Sequence, residues 1–142
     1  MEFAPGVRSA IIADDAPMIR SVLRSKLEAL NVTVFMASDG LEAVELASRT
    51  LVNLILLDLS MPRLNGLLAC RRIRELPGHG RTPIVILTST GGKDAEAAAT
   101  QVGATTFLTK PFRLASLLQV LSRFLPMEAA IRSAIQRDAD QV

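Results

Sequence analysis

The chain has 142 residues, 49% hydrophobic and 21% charged, which indicates one globular domain with a full core and excludes disordered and collagen-like proteins. Sixteen basic and 14 acidic residues give a formal charge of +2, too small to predict binding to nucleic acid or a membrane surface. The single cysteine, Cys70, and the single histidine, His79, offer neither an internal disulfide nor a zinc site.

Five short apolar runs predict strands, at residues 9–13, 32–36, 53–57, 83–87 and 105–108. Each run is followed by a segment with helical periodicity. The stripe of the first helix is Ile19, Val22, Leu23, Leu27 and Leu30, and that of the second is Leu41, Val44, Leu46 and Ala47. The third helix follows the pattern more loosely, with Leu64, Leu67, Leu68, Arg71 and Ile73. A weakly patterned fourth helix is predicted at 94–102 and a fifth at 114–125.

The alternation of strands and helices predicts an α/β fold. Because the strands are apolar with little polar alternation, we expect both faces of the sheet to be covered by helices. Right-handed crossovers then give a doubly wound, five-stranded parallel sheet of the (βα)5 type. In such sheets, functional groups collect at the carboxyl ends of the strands.

Polar side chains stand at four of these predicted strand ends. Asp14 and Asp15 follow the first strand, Asp58 the third, Thr88 the fourth and Lys110 the fifth. The end of the second strand is instead typical of a helix start, with Ser38 or Asp39 as the cap. Each signal alone is also typical of a helix cap or a turn, and their joint occurrence at one sheet edge favours a functional site.

Three neighbouring carboxylates repel one another unless a cation is present. Mg²⁺ fits this need because it prefers oxygen ligands, with Mn²⁺ as the alternative ion, whereas zinc would require His or Cys. Lys110 adds a positive charge where an anion can bind, and the Thr88 hydroxyl can donate to that anion. Together these groups indicate phosphoryl transfer.

With these motifs, the chain resembles the response regulator receiver domains of bacterial two-component signalling. The resemblance covers residues 9–125 and is carried by the motifs IADDAP at 12–17, LLDLSMP at 56–62 with NG at 65–66, ILTS at 86–89, GA at 103–104 and FLTKPF at 107–112. It implies the flavodoxin-like or CheY-like strand order 2-1-3-4-5.

The resemblance also implies roles for individual residues. Asp58 would accept a phosphoryl group from a histidine kinase or a histidine phosphotransfer protein. Asp14, Asp15, Asp58 and the backbone carbonyl of Ser60 would hold the metal ion, and Lys110 would pair with the phosphate. Positioning and charge would then supply most of the catalysis.

Two further features follow from the resemblance. The phosphate would draw the Thr88 hydroxyl inward, and the ring of Phe107 would move into the vacated space as the signalling switch. From its strand position alone, Phe107 is equally well explained as part of the core. The Lys110–Pro111 peptide bond is expected to be cis.

Two alternatives to a phosphorylatable switch remain at this point. One is a pseudo-receiver that only binds partners, which the complete set of site residues disfavours. The other is a magnesium-dependent phosphatase of the haloacid dehalogenase type, which also forms an aspartyl phosphate. That family has a second Asp two residues after the nucleophile, where this chain has Ser60. We therefore expect a signalling switch with self-phosphorylation and autodephosphorylation chemistry, not a turnover enzyme.

Outside the site, residues 63–81 contain five arginines and one glutamate, which is more typical of a solvated helix surface than of an acidic partner's docking face. We divide the chain into a receiver domain at 1–126 and a helical extension at 127–142, with no output domain. The extension is expected to pack on the domain, with a homodimer contact or a linker as alternatives.

Neither a secretory signal nor an apolar run of membrane-spanning length is present. The expectation is a cytoplasmic protein with an unknown downstream protein target and without nucleic-acid or membrane partners.

Overall fold

The computed structural model describes residues 8–89 and 92–125, in which five strands and five helices alternate. The strands are β1 (Arg8–Ala13), β2 (Val32–Ala37), β3 (Leu54–Asp58), β4 (Ile84–Thr88) and β5 (Thr106–Thr109). The helices are α1 (Pro17–Glu28), α2 (Gly40–Arg49), α3 (Gly66–Arg74), α4 (Lys93–Gln101) and α5 (Leu114–Phe124). Within the described ranges, no helix has the length and apolar character needed to cross a membrane.

The strands form one parallel sheet in the order β2-β1-β3-β4-β5, which confirms the predicted doubly wound architecture. The chain moves from β1 outward to β2 and then returns to β3 on the other side of β1. Neighbouring strands whose connections leave in opposite directions open a crevice at their carboxyl ends. The ends of β1 and β3 therefore mark the expected place of the site.

Each face of the sheet carries its own hydrophobic cluster, because successive side chains of a strand point to opposite faces. Ile11 and Leu57 face the cluster that α2, α3 and α4 cover. Ile12 and Leu56 face the cluster that α1 and α5 cover. All five residues of β3 and of β4 are buried, which explains their continuous apolar sequences.

β1 ends at Ala13 as predicted, whereas the other four strands end one residue later than the sequence predicted. Asp58 and Thr88 are therefore the last residues of β3 and β4 and do not follow them. Both side chains still lie at the carboxyl edge of the sheet. Parallel pairing continues to these residues, since Asp58 is in register with Leu87 and Thr88 with Thr109.

The predicted apolar stripe of α3 was wrong in part. The helix begins only at Gly66, where the Asn65 side chain accepts a hydrogen bond from the Leu68 N–H, so Leu64 lies in the preceding loop. Counted from this start, the buried face contains Ala69, Cys70 and Ile73, whereas Leu68 and Arg71 are exposed. Sequence periodicity did not predict this helix start, and therefore not the buried face, because periodicity does not fix the first residue of a helix.

The N-cap of α2 is Asp39 and not Ser38, because Asp39 Oδ1 accepts a hydrogen bond from the Glu42 N–H.

Cys70 lies on the buried face of α3, as expected for a small core residue, and burial raises the pKa of its thiol to about 11. The helical extension predicted at 127–142, and with it the proposed domain division, lies outside the described residues.

Candidate functional site

Three carboxylates meet at the crevice between β1 and β3. Asp14 and Asp15 directly follow β1 and Asp58 ends β3, and the two strands are paired up to Ala13 and Leu57. One carboxylate oxygen from each of the three aspartates lies within 4.8 Å of the others. Asp14 and Asp58 are buried and Asp15 is exposed, so the group is closed towards the protein and open on one side.

Lys110 reaches the same point from the end of β5. Its Nζ donates hydrogen bonds to Asp14 Oδ2 at 2.7 Å and to Asp58 Oδ1 at 3.0 Å. The Lys110 backbone is fixed by a hydrogen bond from its N–H to the Thr88 carbonyl at 2.6 Å. The Lys110–Pro111 peptide bond is cis. One ammonium group thus bridges carboxylates that are 44 residues apart in sequence.

Asp14 is held by the start of α1 as well as by Lys110. Its Oδ1 accepts a hydrogen bond from the Ala16 N–H at 2.9 Å. Its backbone carbonyl accepts one from Arg20 Nη1 at 2.6 Å. Because both carboxylate oxygens and the carbonyl have partners, this fully buried side chain has one defined orientation.

The site carries an excess of negative charge, which a bound cation would reduce. Burial raises the pKa of Asp58, the hydrogen bond from Lys110 lowers it, and the charge of Asp14 raises it again, leaving a pKa above the ordinary value. Burial lowers the pKa of Lys110, but its hydrogen bonds to Asp14 and Asp58 outweigh this and leave it raised. Lys110 therefore stays protonated and compensates only part of the negative charge.

The donor set fits a hard divalent ion. Three carboxylates offer oxygen ligands only, and their combined charge exceeds that of the single ammonium group. The two residues that could favour a softer metal are elsewhere: Cys70 is on the buried face of α3, and both ring nitrogens of His79 have hydrogen-bond partners in a different part of the fold. The residues present fit Mg²⁺.

The other predicted site residues surround this group. Ser60 lies two residues after Asp58 in an exposed position. Thr88 is 2% exposed at the end of β4, beside β5, which Lys110 directly follows. Phe107 is partly buried on β5 and packs against the cluster under α2, α3 and α4.

Sequence reasoning missed two arginines that contact this region. Arg20 donates a hydrogen bond to the Asp14 carbonyl, and Arg63, in the loop that follows Asp58, forms an ion pair with Asp39. Arg20 lies in the first turn of α1, six residues after Asp14, and this nearness in sequence could have suggested the contact. Nothing in the sequence links Arg63 with Asp39, which lie 24 residues apart.

Comparison with known proteins identifies the family. The family model described as response regulator receiver domain matches residues 10–122, and the chain belongs to this family. The chain is 35% identical over 129 residues to the cyclic di-GMP phosphodiesterase response regulator RpfG of Xanthomonas campestris, covering 89% of the chain and 34% of that protein. It is 36% identical over 124 residues to response regulator MprA of Mycobacterium leprae, covering 84% and 54%. The chain thus spans about a third to a half of these relatives.

Solved structures agree with this assignment. Chemotaxis protein CheY4 of Vibrio cholerae superimposes with a TM-score of 0.79 at 29% identity, covering 84% of this chain and 99% of that one. The receiver domain of sensor histidine kinase PA1611 from Pseudomonas aeruginosa gives a TM-score of 0.76 at 31% identity, covering 84% and 98%, and holds a magnesium ion in its active-site cleft. The receiver domain of Ssk1 from Saccharomyces cerevisiae, crystallised with the histidine phosphotransfer protein Ypd1, gives 0.74 at 25% identity, covering 83% and 89%. The CheY-like fold is therefore confirmed.

Proposed function

We propose that this chain is a phosphorylatable receiver in which Asp58 accepts a phosphoryl group from a phosphohistidine of a histidine kinase or a histidine phosphotransfer protein. The observation that carries the proposal is the bridge from Lys110 Nζ to Asp14 and Asp58, inside a group of three carboxylates. A lysine at this point partly neutralises the nucleophile and provides a fixed positive charge for an incoming phosphate.

In the proposed transfer, an Asp58 carboxylate oxygen bonds to phosphorus while the bond from phosphorus to the donor imidazole nitrogen breaks. The imidazole leaves with the electron pair and is protonated from solvent. Lys110 exchanges its contact with Asp58 for one with a phosphate oxygen, and Asp14 keeps the ammonium group in place. The product is an acyl phosphate on Asp58. Because the transfer requires few covalent steps from the protein, positioning and electrostatic stabilisation account for most of the acceleration of phosphoryl transfer.

Asp14, Asp15, Asp58 and the backbone carbonyl of Ser60 are the proposed Mg²⁺ ligands, with Mn²⁺ as a substitute ion. When bound, the ion supplies positive charge for the transferring phosphoryl group. The magnesium ion in the PA1611 receiver supports this assignment, as does the all-oxygen donor set of the site. Because the backbone carbonyl of Ser60 is the proposed ligand, its side chain is not required for metal binding.

Thr88 and Phe107 are the proposed switch. Thr88 ends the strand next to Lys110, so its hydroxyl can approach a phosphate on Asp58. Phe107 is in register with Ile86, two residues before Thr88, and its ring is only partly buried. Inward movement of Thr88 would let this ring become more buried, which would change the surface that a downstream protein contacts.

The partners we propose are therefore proteins: a phosphoryl donor, a downstream target and, as an alternative output, a second copy of the chain. The Ypd1–Ssk1 complex supports a phosphotransfer protein as donor. Neither the charge balance nor the site calls for nucleic acid or membrane. A single cysteine and such a donor favour a cytoplasmic setting.

The test is labelling by acetyl phosphate in the presence of Mg²⁺, followed by intact-mass and peptide mass spectrometry. We expect one phosphoryl group on the wild-type chain, on the peptide that contains Asp58, and none on Asp58→Asn. Asp94→Asn, which neutralises an exposed aspartate of α4, serves as the matched control and should label like the wild type. Equal labelling of Asp58→Asn would disprove the assignment, and no labelling of the wild type would favour a binding-only pseudo-receiver.

A further inference from the structure

The loop between β3 and α3 (59–65) carries Ser60 and is fixed at both ends. The Leu59 N–H donates to the Leu87 carbonyl at 2.7 Å, and the Gly66 N–H donates to the Leu59 carbonyl at 2.9 Å. Between these points, Met61 and Leu64 are buried in the cluster under α2, α3 and α4. The position of the Ser60 carbonyl therefore depends on how the rest of this short loop is held.

Arg63, at the centre of the loop, has an unusual backbone conformation. Its φ is 66°, in the left-handed region, and the Leu64 N–H donates to the Pro62 carbonyl at 2.7 Å across it. A hydrogen bond from residue i+2 to residue i around a positive φ is the pattern of the rare, strained form of γ-turn. A residue such as Arg keeps this conformation only where the surrounding contacts impose it.

One such contact is the ion pair between Arg63 and Asp39. Arg63 Nη1 lies 3.1 Å from Asp39 Oδ2, and the Asp39 side chain is 8% exposed whereas that of Arg63 is 62% exposed. Asp39 is itself immobilised because its Oδ1 accepts the Glu42 N–H at 2.8 Å. The N-terminus of α2 therefore offers Arg63 a fixed anchor.

A second contact brings the same two segments together. A Cβ atom on Gly40, the first residue of α2, would overlap the Leu64 carbonyl oxygen. The loop therefore rests directly on the backbone of α2, one residue after Asp39. Glu42 completes this corner by accepting hydrogen bonds from the Ser38 N–H and hydroxyl at 3.1 and 3.0 Å.

We propose that Asp39 and Arg63 are positioning residues for metal binding, which hold the γ-turn against α2 and thereby fix the Ser60 carbonyl relative to the three carboxylates. This inference rests on the proposed function, since it concerns the Mg²⁺ site assigned there. It adds two residues that touch neither the ion nor the phosphate and act through the loop.

The test measures Mg²⁺ affinity directly, by isothermal titration calorimetry with MgCl₂ on the full chain. Asp39→Asn keeps an oxygen that can cap α2 but removes the charge. Arg63→Asn removes the guanidinium and suits a positive φ. The control is Glu45→Gln, which breaks the Arg49–Glu45 pair on α2, where both side chains are about two-thirds exposed and 3.8 Å apart.

We expect Asp39→Asn and Arg63→Asn each to raise the Kd for Mg²⁺ by about two- to fivefold, the scale of one ion pair. The double variant should be no weaker than either single variant, since both break the same contact. Arg63→Lys should restore most of the affinity. Glu45→Gln should bind like the wild type.

The sign of the two effects separates positioning from simple charge. If the two side chains acted on the ion only by direct electrostatic attraction and repulsion, Asp39→Asn would weaken Mg²⁺ binding and Arg63→Asn would strengthen it. This result would overturn the proposal. Unchanged Kd values with a lowered melting temperature would also overturn it, because the pair would then serve stability alone.

Failure here is distinguishable from failure of the proposed function. If the wild type is labelled on Asp58 while both variants bind Mg²⁺ as it does, only the positioning role is wrong. If the wild type binds no Mg²⁺, the positioning role and the proposed metal site are both wrong.

Discussion

Lys110 has two effects on the site that a single substitution can separate. Its ammonium group lies 2.7 Å from Asp14 and 3.0 Å from Asp58, so it competes with any other cation for these carboxylates. In Lys110→Met we expect tighter Mg²⁺ binding by calorimetry, because the carboxylates lose their built-in counter-charge. We also expect labelling by acetyl phosphate to slow by about 10²-fold, because a donor to the transferring group is lost.

Lys26→Met, at the exposed end of α1, is the matched control for the lost positive charge and should change neither quantity. Weaker Mg²⁺ binding in Lys110→Met, or a labelling rate equal to that of the wild type, would contradict the role given to Lys110.

His79 shows how a residue outside the site stabilises the fold. It is fully buried, and its Nε2 lies 2.9 Å from the Ala47 carbonyl and 3.0 Å from the Thr50 carbonyl at the end of α2. Because both partners are acceptors, Nε2 carries a proton, and Nδ1 forms a hydrogen bond with the Thr82 hydroxyl at 2.9 Å. His79→Leu leaves these groups without their partner, and we expect a loss of about 2–4 kcal/mol in denaturant unfolding. Thr82→Ser, which keeps the hydroxyl, should cost no more than about 1 kcal/mol.

At the scale of elements, Arg74 ties the end of α3 to two loops. Its guanidinium donates to the carbonyls of Gly103, His79 and Thr82 at 2.8, 2.9 and 2.6 Å. Burial lowers the pKa of Arg74, and no carboxylate pairs with it in the described part of the chain. A planar guanidinium suits these three directed hydrogen bonds, because it carries several N–H donors in fixed directions.

We expect Arg74→Met to lose about 2–4 kcal/mol of unfolding free energy, since several carbonyls lose their donor at once. Arg74→Lys should recover little, because a single ammonium group cannot reach carbonyls in three directions. Arg72→Met changes an exposed arginine of the same helix and should stay within about 0.5 kcal/mol of the wild type. If Arg74→Lys and the wild type unfold at the same denaturant concentration, the role of the guanidinium geometry is wrong.

The same elements show what the sequence could predict. The alternation of strands and helices followed from the apolar runs and their periodicity, and the strand order followed from the resemblance of the motifs to the family. The meeting of Asp14, Asp58 and Lys110 followed from their places at the ends of parallel strands. The start of α3 and the γ-turn at Arg63 did not follow. A left-handed φ on an arginine contradicts its local preference, and it is imposed by contacts with α2 that only the folded chain brings together.

For the whole molecule, we expect the site to lower the stability of the metal-free fold. Folding brings three carboxylates to one edge of the sheet with a single lysine between them. Burial raises the pKa of Asp58 above its ordinary 3.8, and the hydrogen bond from Lys110 and the charge of Asp14 act in opposite directions on it. The folded chain consequently holds a proton on Asp58 at pH values where the unfolded chain has lost it.

The sign of the pH dependence follows from this raised pKa. The stabilising contribution of Asp58 is fully present below its unfolded pKa and is lost as the pH rises through its folded pKa. In EDTA at pH 7.5, Asp58→Asn should therefore melt above the wild type by roughly 2–4 °C. This difference in melting temperature should shrink towards pH 4, because Asp58 becomes protonated there. It should also shrink when MgCl₂ is added at pH 7.5, because the ion stabilises the wild type more than the variant. Melting curves recorded by circular dichroism at both pH values, with and without MgCl₂, measure all three comparisons. An Asn variant that melts below the wild type in EDTA at pH 7.5 would show that the carboxylate of Asp58 stabilises the metal-free fold instead.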